Sequence, residues 1–96
     1  MAITIEIPSA LRLHSRGDAV VVIDTLDLPC KSISDALGAL SSKCPGVTDR
    51  VMTEQGDLRP HVNVFVDGEN TRYTGGLQTP VQDPATITII AAISGG

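Results

Sequence analysis

The amino-acid sequence predicts an α+β domain in which a mixed sheet of four to five strands wraps around one main helix. Three observations support this prediction. Short segments of alternating apolar residues occur in both halves of the chain, as expected of half-buried strands. Between them, a single stretch repeats its apolar residues at helical spacing. One helix can cover only one face of a sheet, so a two-layer arrangement follows.

The N-terminal part of the chain predicts two strands. Alternating isoleucines over residues 3–7 indicate a first strand that ends before Pro8. The β-branched run 19–23 indicates a second strand. A polar loop over residues 14–18 separates the two, so we expect them to pair as a hairpin.

The main helix is predicted over residues 33–43. Ser32 is a suitable N-cap, and Asp35 follows it at the spacing of a shortened capping box. The Cys-Pro-Gly sequence at 44–46 ends this helix, and residues 47–52 add a short helical turn. The apolar face of the helix consists of Ile33, Ala36, Leu37 and Leu40.

The C-terminal half predicts the remaining strands. Valines alternate over residues 62–66, and Asp67-Gly68 is a strong signal for a tight turn. Residues 71–73 are expected to form a short strand before a turn at Gly75-Gly76. The last strand is predicted over residues 86–91, where threonine and isoleucine alternate.

This order of elements is that of the β-grasp fold. By analogy with that fold, the first and last strands lie side by side in the centre of the sheet and run parallel. The chain then divides into a domain over residues 1–91 and a flexible C-terminal tail over residues 92–96.

Composition limits the classes of function. The chain of 96 residues suffices for one domain, and its net charge of −4 argues against nucleic acid as the main partner. The N-terminus lacks the basic region of a signal peptide, and the longest apolar runs, 19–23 and 89–93, are far shorter than the ~20 residues that span a bilayer. We therefore expect no membrane association and a cytoplasmic location.

The sequence offers no catalytic or metal-binding constellation. Cys30 and Cys44 flank the predicted helix, which would hold them about 20 Å apart, too far for a disulfide. His14 and His61 are distant from each other in sequence, and no acidic or thiol cluster converges on either of them. We expect neither a metal site nor an enzyme.

The C-terminus carries the most specific chemical signal. The sequence ends in Ile93-Ser94-Gly95-Gly96. Glycine has no side chain, so such a tail can enter a narrow channel, and its carboxylate can be activated as an acyl-adenylate. Two terminal glycines arise by chance in about one chain in two hundred.

Together with the predicted fold, this tail resembles that of the ubiquitin-like sulfur carriers. That family includes the small subunit of molybdopterin synthase and the thiamine-pathway sulfur carrier. The resemblance is densest over residues 59–69 (RPHVNVFVDGE) and continues through 72–77 (RYTGGL) and 86–90 (TITII) to Gly95-Gly96. The valine-asparagine stretch and the later Gly-Gly-Leu are most similar to the carriers that serve cysteine synthesis and sulfur-containing natural products.

The resemblance implies a protein sulfur donor that binds no cofactor. A ubiquitin-activating-like enzyme would use ATP to adenylate Gly96, and a rhodanese-type sulfurtransferase or sulfide would supply sulfur to form a thiocarboxylate. A sulfur-accepting synthase would then take the covalent sulfur from Gly96. In this cycle Gly95, Ser94 and Ile93 form the tail that enters the partner enzymes.

Partner docking is predicted at Phe65 and Ile90. Both oppose the core-facing residues of their strands, so they are expected on the open face of the sheet, where ubiquitin-like proteins meet partners. Three other functions stay open at this point: the molybdopterin synthase small subunit, a ubiquitin-like protein modifier, and a binding module whose terminal glycines are incidental.

Overall fold

The computed structural model describes residues 2–27 and 29–91. Within these residues there are five strands and two α-helices, with three short 3₁₀ helices in the connections. The strands are β1 (Ala2–Glu6), β2 (Val20–Asp24), β3 (Val62–Val66), β4 (Glu69–Asn70) and β5 (Ala85–Ala91). The α-helices are α1 (Ile33–Lys43) and α2 (Pro45–Val51), and the 3₁₀ helices are Ser9–Ser15, Thr71–Tyr73 and Gly76–Gln78.

The strands form one mixed sheet in the order β2-β1-β5-β3-β4. Strands β1 and β5 are parallel, with Ile5 opposite Ile87, and the other neighbouring pairs are antiparallel. The β-grasp arrangement is therefore confirmed, including the parallel pair in the centre.

The core lies between one face of the sheet and α1. Every second residue of β1, β2 and β5 points into it, so the alternation in the sequence sets the buried face. The residues with essentially no exposure include Ile3, Ile5, Ile23, Ile33, Leu40, Val64 and Ile87. The core is aliphatic, as the scarcity of aromatic residues requires.

The start of α1 matches its predicted capping. The Ser32 hydroxyl accepts a hydrogen bond from the Asp35 backbone N–H at 3.2 Å. The Asp35 carboxylate in turn accepts one from the Lys31 N–H at 2.9 Å. Both interactions satisfy donors at the helix start, and this fixes where α1 begins against the sheet.

Two local predictions need correction. Residues Thr71–Tyr73 form a 3₁₀ helix, and the short strand is Glu69–Asn70, directly after the Asp67-Gly68 turn. The Asn70 side chain accepts a hydrogen bond from the Arg72 N–H at 2.9 Å, and this local cap favours the helical turn over an extended segment. In addition, Pro45 starts α2 instead of only ending α1, because proline fits the first turn of a helix.

Gly38→Ala is expected to stabilise the domain by about 0.5–1 kcal/mol, because glycine in a helix interior costs conformational entropy. Gly38 lies within α1, and a Cβ atom added there would meet nothing within 4 Å. Gly56→Ala is the matched control. It also has open space, but its φ of +88° disfavours alanine, so this variant should lose stability. Urea unfolding measures the change in the free energy of unfolding for both variants. Changes of the same sign in Gly38→Ala and Gly56→Ala would contradict the prediction.

Among the described residues, no helix combines the length and the hydrophobicity that a membrane span requires.

Candidate functional site

The predicted tail residues Ile93, Ser94, Gly95 and Gly96 lie outside the described residues. What the structure shows is the part of the domain from which they continue. That part is the C-terminal end of β5, whose last described residue is Ala91.

The end of β5 is held in the middle of the sheet. Ala91 lies opposite Val62 and Ile90 lies opposite Asn63, both on β3. On its other edge β5 pairs with β1 through residues such as Thr88, which lies opposite Glu6. The strand therefore has a neighbour on each side as far as Thr88, and its last three residues, 89–91, pair with β3 alone.

Phe65 and Ile90 both lie on the open face of the sheet, as predicted. Residues directly opposite each other share a face, and Phe65 lies opposite Thr88, two residues before Ile90. Ile90 is 47% exposed, and Phe65 is half-buried. The Thr88 hydroxyl donates to Glu6 Oε1 at 2.5 Å, which places a charged group next to this apolar pair. Docking through these side chains remains a prediction.

The open face carries two further apolar side chains that the sequence reasoning did not single out. Val20 and Val22 of β2 are 44% and 54% exposed. They lie opposite Glu6 and Thr4 on β1, so a polar row separates them from Ile90. Their positions in the strand could have identified them, because side chains alternate between the two faces of β2 and Val21, between them, is buried.

The loop before β3 brings basic side chains close to the end of β5. The Arg59 backbone donates to the Val51 carbonyl at 2.9 Å, and the Val62 N–H donates to the Arg59 carbonyl at 3.0 Å. Arg72 Nη2 donates to the Pro60 carbonyl at 3.4 Å. Both arginines line one cavity together with Val62, the β3 residue that pairs with Ala91. The sequence singled out neither arginine as functional.

The described residues offer no group of three or more His, Cys, Asp or Glu side chains that could hold a metal ion. Cys30 and Cys44 are not joined in a disulfide. Burial raises the pKa of the Cys30 thiol, and the charges of Asp35 and Asp83 raise it further. Cys30 is therefore protonated near neutral pH and is not an activated nucleophile.

Comparison with known proteins identifies the family. A sequence profile described as the ThiS family matches residues 23–96 of this chain. The chain belongs to the ThiS family. The match begins near the end of β2, so it includes β3, β4, β5 and the terminal glycines but neither β1 nor most of β2. The predicted ubiquitin-like sulfur carrier family is confirmed.

Individual relatives agree with this assignment. Sulfur carrier protein CysO of Mycobacterium tuberculosis strain H37Rv is 33% identical over 102 residues, which cover 100% of both chains. The crystal structure of the M. tuberculosis CysO matches with a TM-score of 0.82 at 29% identity, over 95% of this chain and 99% of that chain. The Amycolatopsis orientalis BexX/CysO complex matches with a TM-score of 0.84 at 32% identity, over 99% of this chain and 100% of that chain.

Proposed function

We propose that this protein carries sulfur on its C-terminal glycine. An activating enzyme related to the ubiquitin-activating enzymes uses ATP to adenylate the Gly96 carboxylate, and pyrophosphate leaves. Sulfide then displaces AMP from the acyl carbon and leaves a thiocarboxylate. Where a rhodanese-type sulfurtransferase supplies the sulfur instead, its persulfide displaces AMP to give an acyl disulfide, and a second thiol reduces this to the thiocarboxylate while forming a disulfide with the sulfurtransferase cysteine. The observation that carries the proposal is the family match, which extends through Gly95 and Gly96. A relative named as a sulfur carrier also aligns with this chain over the whole length of both proteins.

This chemistry requires no catalytic group on the domain itself. Adenylation converts an unreactive carboxylate into a mixed anhydride, and the activating enzyme supplies the groups for that step. The resulting thiocarboxylate is a good nucleophile at neutral pH without help from a neighbouring base. The protein therefore acts as a cosubstrate of its partner enzymes, and its fold serves to present the tail and to be recognised.

The tail is long enough for this role. Five residues follow Ala91, and a fully extended chain gains about 3.4 Å per residue, so Gly96 can reach about 17 Å beyond the end of β5. That distance takes the carboxylate from the surface of the domain into a buried active site of a partner.

The sulfur acceptor is proposed to be a precursor of cysteine or of another sulfur-containing metabolite, used by a synthase that binds this carrier. Two facts about relatives support this. The similar mycobacterial and Amycolatopsis proteins both bear the name CysO, and the Amycolatopsis structure is a complex of CysO with BexX. A carrier that meets several enzymes in turn needs a recognition surface besides its tail.

The test of the proposed function is the intact mass of the full chain after incubation with a sulfur-carrier activating enzyme, ATP and sulfide. Exchange of one oxygen for one sulfur, mapped to Gly96, is the expected result. An isopeptide bond from Gly96 to a lysine would instead indicate a protein modifier. No ATP-dependent change at Gly96 with any activating enzyme would contradict both functions and leave a binding module.

Ile90→Asp is expected to raise the KM of the activating enzyme for this carrier about tenfold, because a charge replaces an exposed apolar anchor beside the tail. The fold should be retained, since the Ile90 side chain is outside the core. Leu13→Asp is the matched control: Leu13 is 86% exposed but belongs to the 3₁₀ helix after β1. Equal KM values for the two variants would contradict docking through the open face.

A further inference from the structure

A cavity of about 260 Å³ lies between β3 and the segment that follows the β3–β4 turn. Its walls include two arginines, Arg59 and Arg72, together with Thr71, Asn63 and Asn70. We call it the Arg59–Arg72 cavity. Its volume is below that of the usual pockets for drug-sized ligands and suits a group as small as a carboxylate.

Two buried polar atoms that belong to residues lining this cavity lack hydrogen-bond partners among the described residues. The Thr71 side chain has no exposure, and its hydroxyl oxygen has no partner among the described residues. The buried Nε of Arg59 likewise has none. Within the described chain these are the only two buried side-chain nitrogen or oxygen atoms of this kind, and both belong to residues that line the same cavity. Each group is a donor that a ligand oxygen could satisfy.

The charge of the cavity selects an anion. Within the described part of the chain, neither guanidinium has a carboxylate partner: Arg59 Nη2 donates to the Asp49 carbonyl at 2.9 Å, and Arg72 Nη2 donates to the Pro60 carbonyl at 3.4 Å. Asn70 Nδ2 already donates to Asn63 Oδ1 at 3.3 Å. Two positively charged side chains that still have unused N–H donors therefore line this cavity, although the net charge of the chain is −4. A carboxylate matches a guanidinium in both charge and geometry.

The cavity lies one strand away from the exit of the tail. Val62 lines it, and Val62 is the β3 residue opposite Ala91. An enzyme that grips the residues after Ala91 must cover this end of β3, so its surface passes over the cavity. An acidic side chain on the enzyme that binds the C-terminal tail is therefore the group that fits this cavity.

We propose that the Arg59–Arg72 cavity binds an aspartate or glutamate side chain of the enzyme that activates the C-terminus. The proposal rests on the proposed function, since it names a recognition site of the same activation step. The carboxylate would accept hydrogen bonds from Arg72, from Arg59 Nε and from the Thr71 hydroxyl. Recognition here adds to affinity and takes no part in the chemistry at Gly96.

The first test compares the activation kinetics of three variants with those of the wild type. Arg72→Gln is expected to raise the KM of the activating enzyme for the carrier about tenfold with kcat unchanged, because the charged contact to the partner's carboxylate is lost. Thr71→Val keeps the side-chain shape and should raise KM by a smaller factor. Arg50→Gln is the control, since Arg50 on α2 bonds to the Gly46 carbonyl at 3.1 Å and does not line the cavity.

Thermal unfolding of each variant shows whether the domain is intact. Unchanged KM values for both Arg72→Gln and Thr71→Val in folded protein would overturn the proposal. Failure of the proposed function looks different, because the wild type itself would then form no adenylate or thiocarboxylate.

The second test does not depend on any enzyme. The Arg59 Nε–H signal of the full chain is followed by NMR during titration with sodium acetate, with sodium phosphate and with sodium chloride at matched ionic strength. Acetate is expected to shift this signal saturably beyond the effect of chloride in the wild type and not in Arg72→Gln. Equal effects of acetate and chloride would overturn the site. Tighter binding of phosphate than acetate, with unchanged activation kinetics of Arg72→Gln, would assign the cavity to a free anion and overturn the proposed carboxylate.

Discussion

Gly95→Val and deletion of Gly96 are each expected to abolish formation of the thiocarboxylate. A valine at position 95 adds a branched side chain to a strand that must pass through a narrow channel. Deletion of Gly96 leaves a carboxylate on Gly95, about 3.4 Å short of its position in the wild type. Misplacement of a reacting group by even about 1 Å can cost a hundredfold in rate, so loading should fall below detection. Intact-mass analysis after reaction with activating enzyme, ATP and sulfide measures the result.

Both tail variants should unfold at the same denaturant concentration as the wild type, because the changes lie beyond β5, which ends at Ala91. Gly38→Ala is the matched glycine control, and it should be loaded normally. Normal loading of either tail variant would contradict the assignment of the chemistry to the terminal glycines.

Ile87→Ala is expected to lower the free energy of unfolding by about 2–5 kcal/mol, the usual cost of removing a large aliphatic side chain from a packed core. Ile87 has no exposure and lies in the central strand, opposite Ile5 on β1 and Val66 on β3. Small domains are stable by only about 5–15 kcal/mol, so this single change removes a large share of the total.

Urea unfolding, monitored by circular dichroism, measures the loss for Ile87→Ala. The neighbouring Thr86→Ala is the control, because Thr86 is exposed on the opposite face and its replacement should stay within about 0.5 kcal/mol of the wild type. A loss below about 1 kcal/mol for Ile87→Ala would show that the core can collapse around the missing side chain.

The fold was predictable where one periodicity dominates. Alternating apolar residues identified β1, β3 and β5, a continuous β-branched run identified β2, and Ser32 marked the start of α1. The parallel pairing of β1 with β5 required the fold analogy, because contacts between the two ends of a chain leave no local pattern. The prediction for residues 71–73 was wrong since their strand-forming residues compete with the cap that Asn70 provides.

The candidate site was predictable in part. Alternation along β3 and β5 correctly placed Phe65 and Ile90 on one face. The Arg59–Arg72 cavity was not predictable, because the turn after β3 brings together residues that are separated along the sequence. No spacing rule links Arg59 to Thr71, and neither residue belongs to a recognised motif for anions.

The central position of β5 has a mechanical consequence. A tail that continues from an edge strand would peel that strand away, one hydrogen bond after another, when a partner pulls on it. Here β5 pairs with β3 up to Ala91 and with β1 up to Thr88, so tension that passes from the tail into residues 87–88 is shared between β1 and β3. Central strands open only when the whole domain unfolds. The domain can therefore serve as a rigid handle, so that one enzyme after another can draw in the loaded end without loosening the body that carries it.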